Sequence, residues 1–78
     1  MAANGENMAS KTVTIHTEYI TLGQLLKYVG LIDFGGEAKS FLAANTVYVN
    51  GEADNRRGRK LRPGDRVRIG EREFAIAS

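Results

Sequence analysis

Val47-Tyr48-Val49-Asn50-Gly51 is the stretch on which the fold turns. Its apolar residues recur every second position, so Val47 and Val49 share one face of a strand and Tyr48 takes the other. Asn50-Gly51 then supplies the two residues that most readily adopt positive φ, the requirement of a two-residue hairpin turn. A strand ending in a tight turn is therefore expected here, and the rest of the chain is read outward from it.

Upstream, Leu22, Leu25, Leu26 and Val29 fall at i, i+3, i+4 and i+7, the spacing of one helix face. Thr21 precedes them and Gln24 follows three residues later, as a capping box requires, while Gly30 offers a left-handed stop. A second helix is expected from near Gly35-Gly36, presenting Ala38, Phe41 and Leu42 and closing at Asn45, a residue tolerant of positive φ. Before these helices, KTVTIHT at 11–17 alternates as a short strand, with Val13 and Ile15 inward and the lone His16 on its outer face. Downstream, Pro63-Gly64-Asp65 reads as a turn, Arg66 to Ile69 as a strand with its arginines outward, and 71–76 as a closing strand with Phe74 and Ile76 inward. Phe34 and Phe41 are also expected in the core. The expected class is α+β, two short helices packed on a small, mostly antiparallel β-sheet.

The chain has 78 residues, 42% of them hydrophobic, enough for one small core and not two. Residues 1–10 have no period and read as a disordered tail or an expression remnant, leaving 11–78 as a single domain. With no cysteine there is neither a disulfide framework nor a thiol nucleophile, and no cofactor or metal site is expected. No run approaches the roughly 20 apolar residues of a membrane span, and no signal peptide is visible, so a cytoplasmic protein is expected, monomeric by default. His16 has no Ser, Cys or acid arranged around it as in a triad or metal site. Asp54 and Asp65 occupy turn-favouring sequence beside arginines and are expected to be structural rather than an acid/base pair.

Charge is unevenly spread. Residues 1–54 hold three Lys/Arg against six Asp/Glu, whereas 55–78 hold eight against three, so the net +2 conceals a basic final third. Within 55–62 stand Arg56, Arg57, Arg59, Lys60 and Arg62 with no acid among them, five cations over roughly 25 Å of extended chain. Such a segment repels itself unless an anion is near, and its guanidinium forks match phosphate oxygens. A nucleic acid is the expected ligand, with a solvated solubility loop as the alternative. Gly35 and Gly36 expose backbone amides at a helix start where a phosphate could dock, with Lys39 one turn on; equally, the glycines could serve only to turn the chain. Tyr48, opposite a buried pair, could stack on an unpaired base or simply cover the sheet.

Two short helices followed by Val47-Tyr48-Val49-Asn50-Gly51 and, about a dozen residues later, Pro63-Gly64-Asp65-Arg66-Val67 resemble the ribosomal protein S-four-type RNA-binding domain, or alpha-L motif. Leu22, Ala38-Lys39, Val47 to Gly51 and Pro63 to Asp65 carry the resemblance, over residues 20 to 70. Family members usually open the first helix with Arg-Leu-Asp and the second with Ser-Arg or Thr-Arg, where this chain has Thr21-Leu22-Gly23 and Phe34-Gly35. Only Lys39 carries over from the helix-face cations. The likeness is nearer to short, free-standing bacterial members with Gly-Gly opening the second helix and Arg-Arg-Gly-Arg-Lys after the hairpin. It implies a non-catalytic protein that binds structured RNA, ribosomal or transfer, on the ribosome or free, through Lys39, Arg56, Arg57, Arg59, Lys60, Arg62, Gly35, Gly36 and Tyr48. In other relatives such a domain is attached to pseudouridine synthases or tyrosyl-tRNA synthetases, for which 78 residues leave no room. Two other readings stay open: an adaptor whose basic loop meets an acidic protein, and a nonspecific nucleic-acid binder that takes DNA as well.

Overall fold

The structure, a computed structural model, describes residues 10–78. The expected tail therefore lies outside the described residues, except that Ser10 already belongs to the first strand. Strand β1 (Ser10–Thr14) opens the domain, and the two-residue β2 (Ile20–Thr21) leads into helix α1 (Leu22–Tyr28). A 3-10 turn at Gly35–Glu37 runs into α2 (Ala38–Ala44), followed by β3 (Val47–Val49), β4 (Glu52–Ala53), β5 (Lys60–Leu61), β6 (Arg66–Ile69) and β7 (Arg72–Ala77). Five strands form one sheet in the order β1-β7-β6-β3-β4, and β2 pairs with β5 in a separate ribbon. All pairings are antiparallel except β1 with β7, which places Val13 opposite Ile76. The α+β class, with two helices and a mostly antiparallel sheet, is as expected.

Local chemistry accounts for the elements. The Thr21 hydroxyl accepts from the Gln24 amide at 3.2 Å, and the Gln24 side chain accepts from the Thr21 amide at 2.8 Å, so α1 starts on a complete capping box. Its end passes through Gly30 at φ 82°, where the Cβ of any other residue would be strained. The hairpin between β3 and β4 has Asn50 at φ 52° and Gly51 at φ 87°, both positive as a type I′ turn demands. Asn50 has a second duty: its side-chain amide donates to Asp65 and its carbonyl oxygen accepts from the Arg66 amide, tying the hairpin to the turn that precedes β6.

The core lies between the helices and one face of the sheet. Leu22, Leu25 and Leu26 of α1, with Ala38 and Leu42 of α2, pack against Val13, Val47, Val49, Val67, Phe74 and Ile76, while Leu61 of β5 closes the edge. These are the alternating positions of each strand and the repeating face of α1, so period alone sorts inside from outside.

Four expectations need correction. The first strand ends at Thr14; Ile15 is buried beyond it, and His16 lies in an exposed bend rather than on a strand face. Asn45 ends α2 in extended conformation, φ −132°, because its backbone amide and its side-chain amide both donate to the Phe41 carbonyl and no left-handed residue is needed. Phe34 is 72% exposed rather than buried, whereas Phe41, half-buried, packs against the core and Phe74 lies fully within it. Phe34 is held out at the surface by the Glu37 carboxylate, which accepts from the amides of Asp33 and Phe34 and fixes the turn beneath it. Those two donors also hold the Glu37 carboxyl below its ordinary pKa.

Candidate nucleic-acid interface

The basic segment is not a free loop. Its start is anchored by Asp54, whose amide donates to the Val47 carbonyl at 2.8 Å, and its end by β5, where Lys60 pairs with Thr21 and Leu61 with Ile20. Between these anchors the Arg59 amide donates to the Arg56 carbonyl at 3.0 Å, closing a turn around Gly58. The carbonyls of Arg57 and Arg59 then accept from the amides of Gly23 and Leu22, both at 2.8 Å. Those amides belong to the first turn of α1, which has no partner within its own helix. The loop's backbone thus completes the helix start, and the helix start sets the position of the loop.

Gly23 is what lets them meet. A Cβ at that position would stand 3.3 Å from the Arg57 carbonyl oxygen, closer than a Cβ is normally accommodated, and in ordinary contact with the Arg57 Cβ at 3.6 Å. The absence of an acidic residue at this position, a departure from the Arg-Leu-Asp pattern, is therefore matched by a close backbone contact that only glycine permits without adjustment.

The five cations have no acid among them within 55–62, but Asp54, immediately before that segment, pairs with two of them. Its Oδ1 accepts from the Arg56 amide and Nε, at 2.9 and 3.0 Å, and its Oδ2 accepts from Arg56 Nη2 at 2.8 Å and Arg59 Nη1 at 2.9 Å. The Asp54 side chain is 7% exposed. Its carboxyl is held far below the usual range, first by the Arg56 guanidinium and then by the Arg56 amide and Arg59, against the opposing effect of burial, and the Arg56 pKa is raised in return. Arg57, Lys60 and Arg62 make no ion pair among the described residues. Lys60 and Arg62 instead lie over the ring of Tyr19, 5.0 and 5.6 Å from its centroid.

The loop has two flanks. On one, a cleft is lined by Thr21, Gly23, Gln24, Lys27, Gly35, Ala38, Arg57 and Gly58; on the other, a groove is lined by Arg56, Gly58, Arg59, Lys60, Arg62 and Asp65. Of the expected site residues, Gly35 and Arg57 both line the cleft, and Arg56, Arg59, Lys60 and Arg62 line the groove. Gly36 and Lys39 are exposed beside the cleft, next to Gly35 and Ala38. Tyr48 is elsewhere, on the outer face of the sheet opposite Arg68, whose guanidinium lies 4.6 Å from its ring centroid. The ring face read as free for a base thus already carries a cation. Lys27, Gln24 and Tyr19 enter the surface unexpectedly; Lys27 has a signal in the sequence, since it stands four residues after Gly23 on the same side of α1. Asp65 holds the 62–65 turn by accepting from the Arg62 amide at 2.9 Å, the structural role expected of it.

The family model described as the S4 domain matches residues 13–77. The chain is also 58% identical over 57 residues to the probable ribosome maturation protein RlbA of Bacillus subtilis (strain 168), a match covering 73% of this chain and 80% of that one. The chain belongs to the S4 domain family. This S4 domain carries its basic loop against α1, so the glycine at position 23 and the Arg-Arg-Gly-Arg-Lys run form one structural unit rather than two separate motifs. Among the described residues of this S4 domain no group of three or more His, Cys, Asp or Glu side chains could hold a metal ion, and no helix is long and apolar enough to cross a membrane.

Proposed function

We propose that this S4 domain is a non-catalytic RNA-binding protein of the cytoplasm that takes part in ribosome maturation, holding structured RNA, ribosomal or transfer, through the surface built on residues 56–62. The observation that carries the reading is the placement of Arg57, Lys60 and Arg62 on one docked segment, with Lys27 across the cleft and none of the three engaged in an ion pair among the described residues. Membership of the S4 domain family and the similarity to a protein named for ribosome maturation support it. An array of guanidinium and ammonium groups carried on a docked backbone reads phosphate spacing rather than base sequence, which suits a folded RNA whose backbone geometry differs from that of B-form DNA. Gly35, Gly36 and Lys39 flank the array and extend it along the start of α2. Tyr48 is left outside this contact surface. The protein acts as a monomer and uses no cofactor.

The test is a fluorescence-anisotropy titration with a structured RNA hairpin, the matching single strand and a DNA duplex of equal length, at low and moderate salt. The reading expects a preference for the hairpin that persists as salt rises. Equal binding to all three that vanishes with salt points to a nonspecific cationic loop, and no binding at low salt points to an adaptor for an acidic protein.

A further inference from the structure

The five cations of the basic run are not equivalent. Asp54 is fastened to β3 by its own amide, and its nearly buried carboxylate takes both the Nε and Nη2 donors of Arg56 together with one donor of Arg59. One of the two edges by which the Arg56 guanidinium could grip a phosphate, the Nε/Nη2 edge, is therefore already filled by a carboxylate, and its charge is paired. Arg57, the next residue after Arg56, is among the residues lining the cleft and has no such partner among the described residues. Two neighbours of identical chemistry, Arg56 and Arg57, are thus committed to different partners by one acid.

We propose that Asp54 is the specificity-determining residue of the loop: by occupying Arg56 and Arg59 it fixes the backbone that docks on α1 and leaves Arg57 as the arginine presented to a phosphate over the cleft. The inference rests on the RNA-binding reading and deepens it. Without the acid, three adjacent guanidiniums would be free to follow the phosphates of any polyanion, and affinity would be gained at the expense of discrimination. With it, the loop carries one fewer effective charge in one fixed shape. Asp54 acts through the arginines and touches no ligand, so it is a positioning residue.

The experiment measures anisotropy with the RNA hairpin and the DNA duplex across a salt series for the full chain, Asp54→Asn, Arg56→Gln and Arg57→Gln, with melting temperatures alongside. Asn keeps an oxygen for the Arg56 amide while removing the charge. Asp54→Asn is expected to bind the DNA duplex about threefold to tenfold more tightly at low salt, with the slope of log K against log salt steeper by about one, and to lose a comparable factor of its preference for RNA. Arg57→Gln is expected to weaken hairpin binding by about tenfold and to flatten the slope by about one, whereas Arg56→Gln, which leaves Asp54 with Arg59 alone, is expected to lower the melting temperature and the preference for RNA while flattening the slope by less than about half a unit. A merely structural acid would lower the melting temperature and leave slope and preference alone, and that outcome overturns the proposal. Equal effects of Arg56→Gln and Arg57→Gln overturn it too; this comparison stands even where Asp54→Asn does not fold, since the Arg56 side chain is 69% exposed and that of Arg57 is exposed as well. A native chain with no preference for RNA removes the reading beneath the inference, a result separate from either of these.

Discussion

The amide of Gly23 donates to the carbonyl of Arg57 over 2.8 Å, joining the first turn of α1 to the middle of the basic loop. The contact leaves a Cβ at position 23 only 3.3 Å from that oxygen. Gly23→Ala gains helix propensity of up to about 1 kcal/mol but must push the loop outward by a few tenths of an ångström. The expected outcome is a folding free energy within about 1 kcal/mol of the native chain and an RNA affinity at least about threefold weaker, since the loop is displaced while the core is untouched. Urea denaturation and anisotropy on the same preparation check both halves.

The capping box sets the helix that carries this contact. Thr21→Ala removes the hydroxyl that accepts from the Gln24 amide, and about 1 kcal/mol of stability should go with it. For a domain of this size that is a fall of roughly 4–8 °C in melting temperature, read by circular dichroism.

Gly51 tests the hairpin. At φ 87° an alanine would be strained, and open space around the position means no clash adds to the effect. Gly51→Ala should therefore cost about 1 kcal/mol through backbone conformation alone, measured as a shifted urea midpoint with an unchanged slope.

Acidification isolates Asp54. Its carboxyl pKa is depressed in the folded chain, so the folded state favours the ionised form, and the stabilisation is complete above the ordinary carboxylate pKa of about 3.9. It is lost as pH falls below that value toward the folded one. The native chain should thus lose stability steeply below about pH 4, and Asp54→Asn should show a shallower decline, with the depressed Glu37 carboxyl supplying part of what remains. Parallel urea titrations across this range would show it; curves that fall in parallel would mean the clamp contributes nothing to stability.

Much of this architecture is legible in residue order because the signals are local. Thr21 with Gln24, Asn50 with Gly51, and the alternation in Val47 to Val49, Val67 to Ile69 and Phe74 to Ile76 each determine their surroundings within a few residues. What is not legible depends on partners distant in sequence. Strands β2 and β5 are two residues each, too short to show a period, and exist because Ile20 meets Leu61. The parallel pairing of β1 with β7 leaves no local mark. The exposure of Phe34 follows from Glu37 capping the turn beneath it, which hydrophobicity alone does not reveal. The site is legible as a run of charge from 56 to 62, but its division into clamped and free arginines is not. That depends on the direction of the Asp54 side chain, which the β3–β4 hairpin sets and which charge counting along 55–62 omits.

The most direct test of the central claim is the salt dependence of RNA-hairpin binding by the native chain and by Arg57→Ala/Lys60→Ala/Arg62→Ala. These side chains take no part in the core, so the variant should melt close to the native temperature. The account predicts affinity weaker by about 100-fold or more at low salt, with the slope of log K against log salt reduced by about two to three. Native affinity with a native slope would contradict it and place the RNA on another surface of the domain.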